Sequence, residues 1–379
     1  MDTAIYLDYN ATTPCDIRVL QAMLPYFTEF YGNPANGLHL LGRKAANAIG
    51  TAREQVAALI CAQPNEVFFT SGATESNHIA ILGTADYAPT SRRKIITCAI
   101  EHKAVLAPCH RLIERGFEVI VLPVDENGLV RLQELGQVLD DNTFLVTIQA
   151  ANNEIGTLQS INQISDLAHR YGALVHTDAA QAVGKIPCDV NALNVDLLSF
   201  SAHKMYGPKG TGALYVRGGR RNISIRAMIE GGGQENGVRA GTSNVPGIVG
   251  FGKACEIASC EMAAESSRLR TYRDTLENGL LQAIPQLRVN ARLAPRLPNT
   301  VNFTLEGIDA DAFLLSLPHL MMSTGSACNT GAPEPSHVLQ AIGLTREHAS
   351  ASFRISIGRM TKEEDIQIVI DQILSKLNL

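Results

Sequence analysis

Between residues 67 and 216 short apolar runs alternate with longer stretches of helical periodicity. The runs are "VFFT" (67–70), "KIITCAI" (94–100), "FEVIVL" (117–122), "TFLVTIQ" (143–149), "ALVHTD" (173–178), "DLLSF" (196–200) and "GALYV" (212–216). Among the intervening segments, "ESNHIAILGTA", "KAVLAPCHRLIERG" and "INQISDLAHRYG" space their apolar residues as one face of a helix. Strands that are apolar on both faces and alternate with helices predict an α/β domain built on a mainly parallel, seven-stranded sheet. Residues 247–284 read as one long helix with an interruption near its start. After it, "NTVNFTLE" (299–306), "ASFRISIG" (351–358) and the helix "KEEDIQIVIDQILSKL" predict a smaller α+β C-terminal domain. The expected division is an N-terminal segment, 1–15, packing with the small domain, a large domain over 16–250 and the small domain over 251–379.

Composition narrows the partners. With 18% charged residues and a net charge of -5, nothing favours a phosphate backbone or an anionic membrane as the main partner. The start, "MDTAIYLDYNATTP", lacks the basic head and apolar core of a secretory signal, and no apolar run reaches transmembrane length, so a cytoplasmic location is expected. Eight cysteines lie scattered without a CxxC pair or a Cys/His ligand spacing, which predicts reduced thiols, most of them core filler, and no intrinsic metal site.

Ligands of open α/β sheets sit beyond the carboxyl ends of the strands. The polar residues there are "SGATES" (71–76), "EH" (101–102), "NNE" (152–154), Asp178 and "SAHK" (201–204). Small residues in "TSGATES" allow main-chain N–H groups to meet a phosphate at a helix start, although a tight turn with a Thr or Ser cap uses the same residues. No Walker loop or GxGxxG fingerprint stands in the right context. Asp178 either caps the next helix or pairs with a protonated pyridine nitrogen; Lys204 is either a solvated strand end or a nucleophile. A phosphate cup, a pyridinium partner and a Schiff-base lysine are what pyridoxal phosphate asks of a protein. His102 is either structural or a ring that stacks and shuttles protons. Cys328 lies in "STGSACNTGAPEPS" (323–336), a loop of small and polar residues, as an ordinary thiol or a moving nucleophile. In "FRISIGR", Phe353, Ile355 and Ile357 share one face and Arg354 points the other way, as a surface charge or a fork for a carboxylate.

Taken together, "YLDYNATTP", "GNPA", "FTSGATESN", "EHKAVL", "NNEIG", "TDAAQAVGK", "SFSAHKMYGPKG", "GGGQENGVRAGT", "STGSACNTG" and "FRISIGR" resemble the bacterial cysteine desulfurases of the iron–sulfur type. These are class V aminotransferases of the pyridoxal-phosphate-dependent fold type I, and the likeness runs in order from residue 5 to about 370. The long "SGSAC" loop separates this branch from relatives with a shorter cysteine loop. Two segments depart from the usual pattern: "GNPANGLH" lacks the customary serine, and "QENG" has Asn236 where arginine is often found.

The resemblance implies that Lys204 is the Schiff-base lysine and Asp178 the partner of the pyridine nitrogen. It implies phosphate ligands at Ala73, Thr74, Ser201 and His203, with Thr242 reaching over from the other subunit of a homodimer. Asn153 and Gln181 would meet the hydroxyl side of the ring, His102 would stack on it and act in catalysis, and Asn33 and Arg354 would receive the substrate carboxylate. Cys328 would take the sulfur of L-cysteine as a persulfide, leaving L-alanine, and pass it to an acceptor protein; it could also ligate an iron–sulfur cluster transiently. The expected destinations are iron–sulfur cluster assembly or thiolation of tRNA, DNA or cofactors. The alternatives are another pyridoxal-phosphate enzyme, such as a small-substrate aminotransferase or a selenocysteine lyase, of which aminotransfer would not need Cys328, and a sulfur-carrier or scaffold subunit, whose mark would be loss of Lys204 or Cys328.

Overall fold

A computed structural model describes residues 4–324 and 335–378. Its first strand, β1 (Ile5–Tyr6), is followed by the seven expected from the apolar runs. These are β2 (Val67–Thr70), β3 (Lys94–Cys98), β4 (Glu118–Leu122), β5 (Thr143–Thr147), β6 (Leu174–Asp178), β7 (Leu197–Ser201) and β8 (Gly212–Val216). They form one sheet in the order β2-β8-β7-β6-β5-β3-β4, parallel except for β8, which runs against both neighbours. Helices cover both faces, so β3, β5, β7 and β8 are buried along their whole length, as the unbroken apolar runs require. Because β8 is reversed, its first residue, Gly212, lies level with the ends of β2 and β7, paired with Thr70 and Ser201.

The C-terminal part adds β9 (Leu287–Val289), β10 (Thr300–Leu305), β11 (Leu320–Met321) and β12 (Ser352–Ser356). An antiparallel sheet, β12-β10-β9, packs on the helix Glu363–Lys376 through Phe303, Phe353, Ile355, Ile366, Val369 and Ile373. β1 pairs in parallel with β11, and Asp8 bridges to Ser356, so the chain's beginning is joined to its C-terminal sheet. Among the described residues no helix is long and apolar enough to cross a membrane.

The long helix spans Val245–Ala283 without the expected interruption. Its early glycines are contact points, not breaks. A Cβ at Gly252 would lie 2.6 Å from the Ala52 Cα, and one at Gly250 would lie 2.5 Å from the Met23 sulfur. The first half of the helix packs Ile248, Phe251 and Cys255 into the main core, and the second half packs Leu269, Leu276 and Leu280 against the small sheet. Of the seven described cysteines, Cys98, Cys109, Cys188 and Cys255 are buried and serve as filler.

Two predictions follow from this packing. A Cβ at Gly212 would stand 2.6 Å from the Gly72 Cα and 2.8 Å from the Phe200 carbonyl oxygen, both main chain. Gly212→Ala should therefore cost about 1–3 kcal/mol by overpacking and displace the turn after β2, seen as a lowered thermal midpoint together with weaker retention of any ligand at that turn. His176 is sealed inside the sheet between Thr147 and Ser199, 2.7 and 2.9 Å from their hydroxyls, and burial pushes its pKa down to about 3. An unfolded histidine titrates near 6.5. Stability is then untouched above that value and falls by up to about 1.4 kcal/mol per pH unit as the pH drops toward 3, because only the unfolded chain takes the proton. Denaturant titrations should show the gap between the native protein and His176→Asn narrowing from pH 7 to pH 4; a constant gap would refute it.

Candidate active site

At the carboxyl edge of the large sheet lies a cavity of about 550 Å³. β7 ends at Ser201, and a single 3-10 turn, Ala202–Lys204, carries the lysine three residues beyond the strand that was expected to aim it. That turn is tight: the N–H groups of Met205 and Gly207 both donate to the Ala202 carbonyl, and a Cβ at Gly207 would sit 2.7 Å from that of Ala202. Lys204 Nζ donates to the carbonyl oxygens of Asn10, at 2.5 Å, and Ala11, at 2.6 Å. Two segments nearly two hundred residues apart thus meet at one amine.

Asp178 closes β6 and is buried on the cavity floor. Its carboxylate accepts from the Ala180 N–H at 2.9 Å and from Asn77 Nδ2 at 2.7 Å, which fixes its orientation. One carboxylate oxygen caps the turn that follows β6, where a helix was expected, while the residue faces the cavity. Ala73 and Thr74 open the helix Ala73–His78, whose start has no side-chain cap, and both line the cavity. First-turn N–H groups have no partner within their own helix. Facing them from β7 is the Ser201 hydroxyl, buried and without a hydrogen-bond partner among the described residues. His203 completes this wall with Nδ1 3.1 Å from the Thr12 hydroxyl. Burial, and then the charges of Lys204, Lys209 and Lys185, push its pKa down to about 4, so the ring is neutral near pH 7.

His102 caps the helix Lys103–Ile113: its Nδ1 accepts the Ala104 N–H at 3.0 Å, which leaves the proton of the neutral ring on Nε2. Desolvation lowers its pKa, against the pull of Asp178. Asn153 and Gln181 also line the cavity. Arg354, in the middle of β12, is not a surface charge; it is buried and points into the same space. Its Nη1 donates to the Asn153 carbonyl at 2.8 Å, its Nη2 meets the Asp8 carboxylate at 2.6 Å, and its Nε is buried without a partner among the described residues.

Two expected site residues do not line this cavity. Asn33 is exposed on a separate surface, its Oδ1 accepting the Ala35 N–H, and Thr242 is exposed in the segment before the long helix. Cys328 lies outside the described residues. Conversely, the reading of the sequence assigned nothing to Asp8, Asn10, Asn77 or Lys185, all of which contact site residues. The polar run "DYNATT" after a two-residue strand was the available signal for the first two.

The arrangement supplies main-chain and hydroxyl donors for a phosphate on one wall, a fixed carboxylate on the floor, an amine on a rigid turn and a buried guanidinium opposite. Comparisons with known proteins give the family. Residues 5–369 match the class-V aminotransferase family, which implies pyridoxal phosphate as the cofactor. The chain is 45% identical over 377 residues to the cysteine desulfurase IscS of Anaeromyxobacter sp. (strain Fw109-5), covering 100% of this chain and 93% of that one. A solved NifS-like protein superposes with a TM-score of 0.91 at 40% identity, covering 99% of this chain and 100% of its own. The structure of SspA in complex with cysteine superposes at 0.83 with 40% identity, over 93% of this chain and 98% of its own. Matched in sequence and fold from end to end, the chain belongs to the class-V aminotransferase family, within its cysteine desulfurase group.

Proposed function

We propose that this protein converts L-cysteine to L-alanine with pyridoxal 5'-phosphate and takes the sulfur onto Cys328 as a persulfide for an acceptor protein. The observation that carries the reading is the convergence of Lys204, Asp178, Ser201, His203, His102 and Arg354 on one cavity. The residues fit the cofactor: the unpartnered Ser201 hydroxyl and the open N–H groups of Ala73 and Thr74 suit a phosphate, with His203 beside them. Asp178, held by Asn77, offers an anion to a pyridine nitrogen, Asn153 and Gln181, which line the same cavity, would meet the ring hydroxyl, and the His102 ring would offer a face for stacking. When bound, the cofactor supplies an electron-accepting ring that weakens the bonds at the substrate Cα.

Lys204 Nζ is the base that takes and returns the Cα proton, and it rests between these tasks on the carbonyls of Asn10 and Ala11. Arg354 holds the substrate carboxylate, its open Nε providing the first donor while Asp8 competes for the rest of the fork. The Cys328 thiolate attacks the substrate sulfur; the Cβ–S bond breaks with its electron pair left on the carbon skeleton, which is protonated to alanine. A homodimer completes the site through Thr242. Supporting the dimer is a run of exposed apolar side chains, Ile17, Leu20, Leu24, Phe27, Leu38 and Leu40, near the start of the chain. The enzyme works in the cytoplasm, and its sulfur goes to iron–sulfur cluster assembly or to thiolation of tRNA, DNA or cofactors.

Mass spectrometry after a pulse of L-cysteine tests the central step. The native enzyme should carry one extra sulfur on Cys328, and Cys328→Ser should bind L-cysteine, seen as a change in the cofactor spectrum, yet carry none. Persulfide on another cysteine with normal turnover would sink the reading, as would a Lys204→Ala protein that keeps a borohydride-sensitive cofactor band and full activity. For Arg354→Ala, loss of a charge-assisted fork should lower kcat/KM for L-cysteine more than a hundredfold, equivalent to about 3 kcal/mol, with Lys restoring only part of it. Unchanged kcat/KM in Arg354→Ala would remove the carboxylate role.

A further inference from the structure

We propose that Lys185, which no step above uses, is a positioning residue whose amine fixes which end of the Gln181 amide is presented to the cavity and braces the Asn10 side chain behind Lys204. The inference rests on the reading that this cavity holds pyridoxal phosphate. Lys185 follows Gln181 by one helical turn's worth of chain, after Gly184, which has a positive φ of 80° and would carry a Cβ 2.7 Å from that of Met205. This sharp turn folds the lysine back under the cavity floor. Its side chain is partly exposed along its length, while its amine is desolvated and donates to Gln181 Oε1 at 2.7 Å and to Asn10 Oδ1 at 2.9 Å.

A protonated lysine amine has only hydrogens to give, and the neutral amine still has two, one for each of these oxygens. The oxygen end of the Gln181 amide is therefore turned to Lys185. Its nitrogen end donates to the Asn10 carbonyl at 2.9 Å, and a side-chain NH2 has a second hydrogen left for the cavity that Gln181 lines. Turning the amide over would set oxygen against oxygen at the Asn10 carbonyl and, at Lys185, would set N–H against N–H or force the neutral amine to spend its lone pair as acceptor. Gln181 is thereby held as a donor, the form that stabilises a negatively charged oxygen on the cofactor ring. The same lysine reaches Asn10, whose carbonyl receives Lys204 Nζ at 2.5 Å, so one amine secures two residues that touch the chemistry.

Solvent does not replace it. The pocket bounded by Lys185, Lys204, Tyr206 and Glu265 measures about 10 Å³, the lower limit for a single water. Burial, then the charges of Lys204 and Arg354, lower the Lys185 pKa well below its usual value, against the pull of Glu265.

The test uses the holoenzyme with Lys185→Met, Gln181→Leu and the double variant. Lys185→Met should shift the visible cofactor band and weaken pyridoxal phosphate binding about tenfold, or about 1.4 kcal/mol. The double variant should match Gln181→Leu alone in band position, because the lysine acts on the ring through that amide. A native band position and native cofactor affinity in Lys185→Met would overturn the proposal, and so would shifts that simply add. If the native protein shows no visible band with pyridoxal phosphate, the cofactor reading itself fails; a native band unmoved in Lys185→Met sinks only the role of the lysine. Neutron diffraction from the native holoenzyme reads the amide directly and needs no variant to fold: deuterium on the atom facing Lys185 would refute the assignment, and deuterium on the atom facing Asn10 supports it.

Discussion

One buried amide joins the parts of this molecule that do chemistry. Asn10 offers its carbonyl to Lys204 and Gln181, its side-chain oxygen to Lys185 and Asn299, and its side-chain nitrogen to the Asn153 carbonyl and the Thr300 hydroxyl. Its own N–H reaches the Ser356 hydroxyl. Every polar group of the residue is therefore committed, at 1% exposure, to partners on the large sheet's turns and on the small sheet alike. A buried polar group left unpaired costs about 1–3 kcal/mol, so neither sheet can shift against the other without breaking several such contacts together. The position of Lys204 is a property of this junction as much as of the strand behind it.

The large sheet was legible in the sequence because burial on both faces leaves no room for polar residues. Each of the seven runs became a strand within a residue or two, and the polar residues just past them converge on one cavity. Arg354 was also legible, since the alternation in "FRISI" forces it away from Phe353 and Ile355, which are both fully buried on the opposite side. What escaped was the partnership between residues hundreds of positions apart. Nothing local marks Asn10 as the neighbour of Thr300, or Asp8 as that of Arg354, because amide and carboxylate side chains also occur in ordinary turns. Lys185 was hidden for a different reason: a lysine after a glycine reads as a solvated turn, and only the fold reveals that its amine is desolvated.

The start of the long helix shows the opposite error. Glycines lower helix propensity by about 1 kcal/mol each, and an interruption was expected near its beginning. Tertiary contact outweighs the penalty: Gly250 and Gly252 let this helix approach Met23 and the helix Leu40–Leu59 more closely than any side chain would permit. Asn236 follows a related logic at φ 53°, a backbone region that asparagine enters more readily than most residues, arginine included.

A helix of 39 residues is about 58 Å long, and this one is embedded in the main core at one end and in the small-sheet core at the other. It acts as a ruler. Phe251 belongs to one core and Leu276 to the other, and a single unbroken rod ties the two together. The two cores are consequently spaced by one continuous run of main-chain hydrogen bonds, not by loops that could be lengthened.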